Sequence, residues 1–269
     1  MGRTLGRIFA ATWTRTPYWV IGVAGACATL GYVLGRVPDY RNFWAMGAMV
    51  RFPDGSGVRI PFTRVLVDLT IALMGLSFII RRPPRERNHN PVEVLLAALG
   101  GCMPMLPYFL DDILGAVAPP WRAAWKPLFM DQNVAWWRSV AGATCLLVGN
   151  AVDVWAYVVL SRSFSVVPEA RDVVTRGPYR WVRHPVYAGQ LLGQAGIWVF
   201  FAVPHGGWLV FYAVFVLVQM YRARAEERVL LAVLGDAYRA YATRAWWLWR
   251  IPPSAPGLRV DGGRAPMAP

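Results

Sequence analysis

Charged side chains are what this 269-residue chain has least of. Only 16% of its residues are charged, against 56% hydrophobic, and the mean hydropathy is +0.35. Soluble domains carry about 25% charged residues, so the chain is short of side chains suited to facing water. A disordered chain needs low hydrophobicity and is excluded on the same ground. Acidic groups are scarcer still: 15 Asp and Glu stand against 28 Lys and Arg, a formal net charge of +13. Such an excess often marks a nucleic-acid binder. Here it sits on few charged residues among 14 tryptophans, and no nucleic-acid partner is expected. Lysine is nearly missing, Lys126 being the single one, which with abundant Ala, Gly, Pro and Val fits a GC-rich bacterial genome. Cysteine is also rare. Cys27, Cys102 and Cys145 each lie in an apolar stretch, with neither a disulfide framework nor metal-ligand spacing. They read as small core residues, and no metal is expected.

What is abundant is apolar sequence in long runs. A membrane-crossing helix needs about 20 mostly apolar residues. Six segments qualify: 18–35, 62–80, 91–110, 137–160, 186–203 and 207–221. The third is interrupted by Pro104 and Pro107. Pro204-His205-Gly206-Gly207 divides the last two and forces an antiparallel hairpin. The expected fold is an all-α, polytopic membrane helical bundle of about six transmembrane helices, with a cytoplasmic amphipathic helix near the C-terminus.

Orientation follows from the basic residues, which concentrate on the cytoplasmic side of membrane proteins. With a cytoplasmic N-terminus, 20 of the 28 basic residues fall inside, so both termini are expected in the cytoplasm of a bacterial inner-membrane protein. The run Arg81-Arg82-Pro83-Pro84-Arg85-Glu86-Arg87 reads first as a topology anchor. The first helix is expected to be retained, because its apolar run to Leu34 outlasts a signal-peptide core.

Ionisable groups in lipid are costly and normally face the bundle interior. Arg64 and Asp68, at i and i+4, can pair on one helix face. Asn150, Asp153 and Tyr157 share a face of the fourth helix, and Gln190 with Gln194 a face of the fifth. Each set could line a cavity or bond between helices.

Polar residues are densest between the fourth and fifth helices. There Gly177-Pro178-Tyr179 precedes Arg183-His184-Pro185-Val186-Tyr187-Ala188-Gly189, which opens a helix. That block could be an interfacial lipid anchor. A helix N-terminus beside His and Arg is also a natural seat for a carboxylate or phosphate. Pro185 suits the first helical position, where its missing N–H costs nothing. After the sixth helix come Arg222, Glu226 and Glu227. An amphipathic pattern follows, with Leu230, Leu234, Tyr238, Tyr241 and Ala245 recurring every three or four residues, as expected of a helix lying at the inner interface.

Together the two blocks resemble the isoprenylcysteine carboxyl methyltransferase family and its phospholipid N-methyltransferase relatives. The resemblance rests on Gly177-Pro178-Tyr179, Arg183-His184-Pro185-Val186-Tyr187-Ala188-Gly189, the hairpin, Arg222, Glu226-Glu227, Gly235, Tyr238, Tyr241 and Arg244, and covers roughly residues 164–250. It implies an integral-membrane methyltransferase that uses S-adenosylmethionine without a soluble nucleotide-binding domain. It implies a cofactor cradle on Val173, Val174, Tyr179, His184, Pro185, Tyr187 and Glu226, with Arg222 facing the acceptor. The expected acceptor is a lipophilic small molecule or lipid, an isoprenoid or lipid carboxylate, a thiol or an amine, and membrane lipids are expected neighbours. One departure is Trp246-Trp247-Leu248-Trp249, inserted where the family continues with Arg and Pro.

The organisation expected from this reading is a membrane region over 1–160, a catalytic region over 161–250 and a disordered tail over 251–269. The segment 111–136 reads as an interfacial helix, with a lid as the alternative. An NADPH-dependent, sterol-reductase-like enzyme is one rival function. A non-catalytic transporter or scaffold is another, to which Asp68 and Asp153 lend some support.

Overall fold

The computed structural model describes residues 17–88, 90–129, 134–201 and 206–251. It is helical throughout its apolar segments. Helix α1 (Tyr18–Arg36) continues into a 3₁₀ stretch, Val37–Ala45, and α2 spans Phe62–Ile80. Helix α3 (Pro91–Cys102) starts on Asn90, whose side chain accepts from the Val92 N–H at 3.0 Å, with Pro91 in the first helical position. Helices α4 (Leu106–Val117), α5 (Pro119–Phe129) and α6 (Trp136–Leu160) follow. Helix α7 (Pro185–Ala195) loosens into a π-helical turn at Gly196–Phe201, and α8 runs from Gly206 to Ala242.

Three of these stretches are long and apolar enough to cross a membrane: Trp19–Ala45, Phe62–Ile80 and Trp136–Ser163. They make the chain an integral membrane protein. The segment 91–110 departs from the single span expected there. Pro104 cannot donate the backbone hydrogen bond a helix needs, and the chain turns through a 3₁₀ step, Met103–Met105, between α3 and α4. The Pro204-His205 breaker and the tail from residue 252 lie outside the described residues.

The sixth span runs on without interruption into the start of the amphipathic segment, and the helix kinks within that segment, at Gly235, where φ is +51°. Only glycine takes that conformation without strain. The apolar stripe on either side of it packs on protein. Tyr238, Ala242 and Ile251 are buried together, with Val173, Leu230, Leu234 and Tyr241 against them. The cysteines also depart from expectation. Cys27 and Cys102 are exposed on the outer faces of their helices, and Cys145 is half-buried.

Tight helix crossings hold the bundle. A Cβ placed on Gly149 of α6 would lie 2.7 Å from the Gly189 carbonyl oxygen and 2.8 Å from the Gly193 Cα of α7, so hydrogen alone lets the two backbones meet. Helix α1 packs on α2, and their polar groups converge. Asp68 accepts from Arg64 Nε at 3.2 Å, from the Tyr32 hydroxyl at 3.0 Å and from the Tyr40 hydroxyl at 3.0 Å. The Arg64–Asp68 pair expected from spacing is therefore the centre of an interhelical knot.

Two small strand pairs lie outside the sequence reading. Strands β1 (Ala48–Arg51) and β2 (Gly57–Ile60) form an antiparallel hairpin between α1 and α2, its turn held by Asp54 accepting from the N–H and hydroxyl of Ser56. Strands β3 (Glu86–Arg87) and β4 (Glu169–Ala170) pair antiparallel, tying the basic run after α2 to the loop after α6. That run is thus more than a topology marker. Arg82 and Arg85 both bind Asp172, at 2.8 and 2.6 Å, and Arg87 lies 3.4 Å from Glu169.

Candidate functional site

The loop from Phe164 to His184 and the facing stretch of α8 enclose a cleft at one end of the bundle. Val173, Val174, Tyr179, His184, Tyr187, Arg222 and Glu226 all line it. Seven of the eight residues singled out from sequence therefore reach one space from three chain segments. The eighth, Pro185, is fully buried behind the wall as the first residue of α7. Tyr157 of α6, Gln190 of α7 and Tyr238 and Tyr241 of α8 complete the lining.

Why these side chains converge follows from local structure. Gly177, at φ +57°, turns the loop so that the Tyr179 ring is buried against the site, and the Tyr241 hydroxyl donates to the Tyr179 carbonyl at 2.9 Å. His184 is the last residue before α7, with φ −127° and ψ 63°, which frees its ring from the helix axis. One turn on, the Tyr187 ring stacks on His184 with centroids 5.6 Å apart. The Tyr187 hydroxyl donates to Glu226, which links α7 to α8.

The two adjacent glutamates do different things. Glu226 lines the cleft, with Oε2 3.9 Å from His184 Nδ1 and 23% of its side chain exposed. Glu227 is 3% exposed and lies behind His184, whose Nε2 is 3.0 Å from its Oε1. Arg183 Nε is 3.1 Å from the same oxygen, and the Trp249 indole donates to the other. Arg183 in turn donates to the Ala242 and Trp249 carbonyls. A buried carboxylate is tolerated only when paired and hydrogen-bonded in this way. Burial pushes the Glu226 carboxyl above its ordinary value of 4.5, opposed by the neighbouring His184 and Arg222 side chains and by the Tyr187 hydroxyl. Burial likewise raises the Tyr179 phenol. Asp172, also on the cleft, goes the other way: partial burial is outweighed by the hydrogen bonds from Arg82 and Arg85, which hold it below the usual carboxylate range.

Arg222 sits deeper and does not pair with Glu226, although the i, i+4 spacing permits it. Its Nη1 donates to Gln219 Oε1 at 2.7 Å and its Nη2 to the Val166 carbonyl at 3.1 Å. Gln219 is fully buried and donates to Gln190. The guanidinium lies 5.1 Å from the Tyr187 ring centroid, and its buried Nε–H has no hydrogen-bond partner. Close approach of α3 confines it, since a Cβ on Gly100 would lie 2.8 Å from Arg222 Cδ. The glutamines expected to act together part company here. Gln190 faces the cleft, whereas Gln194 accepts from the Trp198 indole one turn along the helix. Asp153 is buried beside the site at 3% exposure, with Oδ1 unpartnered.

Several contributors were not legible in the sequence. The Trp246–Trp249 insertion forms the back of the site: Trp247 is buried 5.0 Å from His184, the Arg183 N–H donates to the Trp246 carbonyl at 3.0 Å, and the Trp246 N–H donates to the Trp181 carbonyl at 2.7 Å. Glu227, Arg183 and Gln219 owe their roles to tertiary placement. The Glu-Glu pair was the one signal that pointed at Glu227.

Comparison with known proteins gives this arrangement a context. Residues 137–237 match the family model described as phospholipid methyltransferase. Protein-S-isoprenylcysteine O-methyltransferase B of Arabidopsis thaliana is 31% identical over 114 residues, covering 40% of this chain and 57% of that protein. The A form from the same plant is 31% identical over 120 residues, covering 43% and 60%. Protein-S-isoprenylcysteine O-methyltransferase of Homo sapiens is 29% identical over 150 residues, covering 49% and 50%. The chain spans about half the length of the curated relatives it matches.

Proposed function

We propose, from the match of residues 137–237 to the phospholipid methyltransferase family model, that the chain is an S-adenosylmethionine-dependent membrane methyltransferase acting on a lipophilic acceptor. The observation that carries this reading is the convergence of His184, Tyr187 and Glu226 with Val173, Val174 and Tyr179 on one cleft. The family match favours it over a reductase or a transporter.

The residues present fit such a cofactor. The Glu226 carboxylate, partly exposed on the cleft, suits a cationic amino group or ribose hydroxyls. His184, with the free N–H groups of the first turn of α7, suits the methionine carboxylate. The Tyr179 and Tyr187 rings suit the adenine and the sulfonium. When bound, the cofactor supplies an already activated methyl group. The protein's part is therefore to align the acceptor and exclude water. Arg222 is the acceptor-side residue: its unpartnered Nε–H and remaining donors favour a carboxylate, which guanidinium binds through two parallel hydrogen bonds. The acceptor class best matched is thus an isoprenoid or lipid carboxylate, entering from the bilayer. The region 161–250 carries the chemistry, 1–160 scaffolds it, and the basic residues set both termini in the cytoplasm of a bacterial inner membrane.

Isothermal titration of the purified chain with S-adenosylmethionine and with its demethylated product tests the reading. Saturable binding of both is expected. Absence of binding in detergent and in nanodiscs alike sinks it.

A further inference from the structure

Beside the cofactor cleft lies a second cavity, at the point where α6 ends. Arg82, Arg162 and Arg176 line it together with the hydroxyl-bearing residues Ser161, Ser163 and Thr175, and Asp172 is the acidic residue on its wall. The charges do not balance. Asp172 is already shared, one oxygen taken by Arg82 at 2.8 Å and the other by Arg85 at 2.6 Å. Arg162 and Arg176 are exposed, and neither forms an ion pair with any described carboxylate. The cavity is therefore strongly cationic, with hydroxyl donors beside the guanidiniums. That is the donor set that phosphate oxygens select.

The stretch Trp136–Ser163, long and apolar enough to cross a membrane, ends within this wall, which puts the cavity toward the headgroup end of that stretch. Trp155, about two turns before that end, and Trp181 are both about half exposed, with ring centroids 5.7 Å apart. Paired exposed indoles are typical of that depth. Arg180 lies over the Trp181 ring at 5.4 Å and adds to the positive field. The cavity adjoins the cofactor cleft, sharing Leu160, Ser163, Asp172, Val173 and Val174 with it, while Arg82, Arg162 and Arg176 line this cavity and not the cleft. An occupant would therefore brace the strand of chain that forms the cleft wall.

We infer that this cavity is a seat for a phosphate group at the membrane surface, held by Arg162 and Arg176 with Arg82, and distinct from the cofactor cleft. The phosphate belongs to an anionic phospholipid headgroup or to free phosphate. This holds whether or not the neighbouring cleft transfers methyl groups.

The test uses the full chain, purified and delipidated in detergent. It is titrated separately with phosphatidylglycerol, phosphatidylcholine and inorganic phosphate, and occupancy is followed by native mass spectrometry. One tightly held phosphatidylglycerol is expected, at least about tenfold preferred over phosphatidylcholine. The Arg162→Gln/Arg176→Gln variant should bind it about tenfold or more weakly. The Arg41→Gln/Arg59→Gln variant, which loses the same charge at the opposite end of α2, should change by less than about twofold. Occupancy by inorganic phosphate alone assigns the seat to free phosphate, and occupancy by lipid alone assigns it to the headgroup. Because all four arginines are exposed, unchanged thermal unfolding of both variants shows that the fold is intact. Equal loss in the two double variants, or no preference for phosphatidylglycerol and no phosphate binding, overturns the inference.

Discussion

His184 Nε2 lies 3.0 Å from Glu227 Oε1, and its Nδ1 turns toward Glu226 at 3.9 Å. The imidazole is held from behind by a buried, Arg183-paired carboxylate and presents Nδ1 to the cleft. The contact behind the ring fixes the orientation of the nitrogen in front. Two adjacent glutamates thus divide into one that holds the histidine and one that faces a ligand.

Glu227→Ala should therefore act first on the fold. It strands Arg183 and the Trp249 indole and leaves His184 unanchored. Removing one partner of a buried ion pair costs about 3–5 kcal/mol. A clear drop in the thermal unfolding midpoint in detergent is expected, while Glu226→Ala, at a part-exposed position, should leave the midpoint nearly unchanged and abolish cofactor binding.

Arg222→Ala should leave S-adenosylmethionine affinity within about twofold and lower turnover by about a hundredfold, the loss typical of misplacing a reactant by an ångström. Titration calorimetry beside a methyl-transfer assay separates the two effects. Equal loss of cofactor affinity in this variant and in His184→Ala would contradict the assignment of Arg222 to the acceptor side.

Cofactor affinity should fall on acidification. Burial raises the Glu226 carboxyl above 4.5, so it takes up a proton earlier than a free glutamate as pH drops. The folded-state value exceeds the unfolded one. Glu226 alone therefore disfavours the fold at neutral pH, and that cost is relieved as pH falls through the raised value. Binding runs the opposite way, because only the carboxylate holds a cationic group. Titrations from neutral pH downward should show weakening that begins above 4.5, and Glu226→Gln should flatten the Glu226 contribution to that profile.

Gly149→Ala should loosen the whole site without touching it. The added methyl meets the backbone of α7 at 2.7–2.8 Å, where nothing flexible can yield. Overpacking of this kind costs about 1–3 kcal/mol. A lowered unfolding midpoint is expected, with cofactor affinity reduced in parallel because His184 and Tyr187 ride on α7. Unchanged stability would mean that the two helices can separate freely.

Much of the site was legible because its residues act through chain-local features. His184-Pro185 opens a helix by the chemistry of proline alone, and Tyr187 and Glu226 stand in the short motifs that carry the family resemblance. The Arg64–Asp68 pair was readable from its i, i+4 spacing. The run 91–110 is apolar enough for one helix and carries Pro104 and Pro107, and the chain path shows where it divides, at the 3₁₀ step Met103–Met105. The period of the amphipathic stripe announces an apolar face but not that the loop at Val173 packs on it.

The sequence by itself determined a helical membrane protein whose few polar residues mark a site, since the scarcity of charge and the long apolar runs leave no other economical fold. Tertiary structure alone decided which of those residues meet. Arg222 turned to Gln219 and the Val166 carbonyl rather than to Glu226, Glu227 withdrew behind His184, and the tryptophan insertion closed the back of the cleft. The physical reason is the low dielectric of the bundle. Every charge there must find a partner by distance in space, and spacing along one helix only proposes candidates.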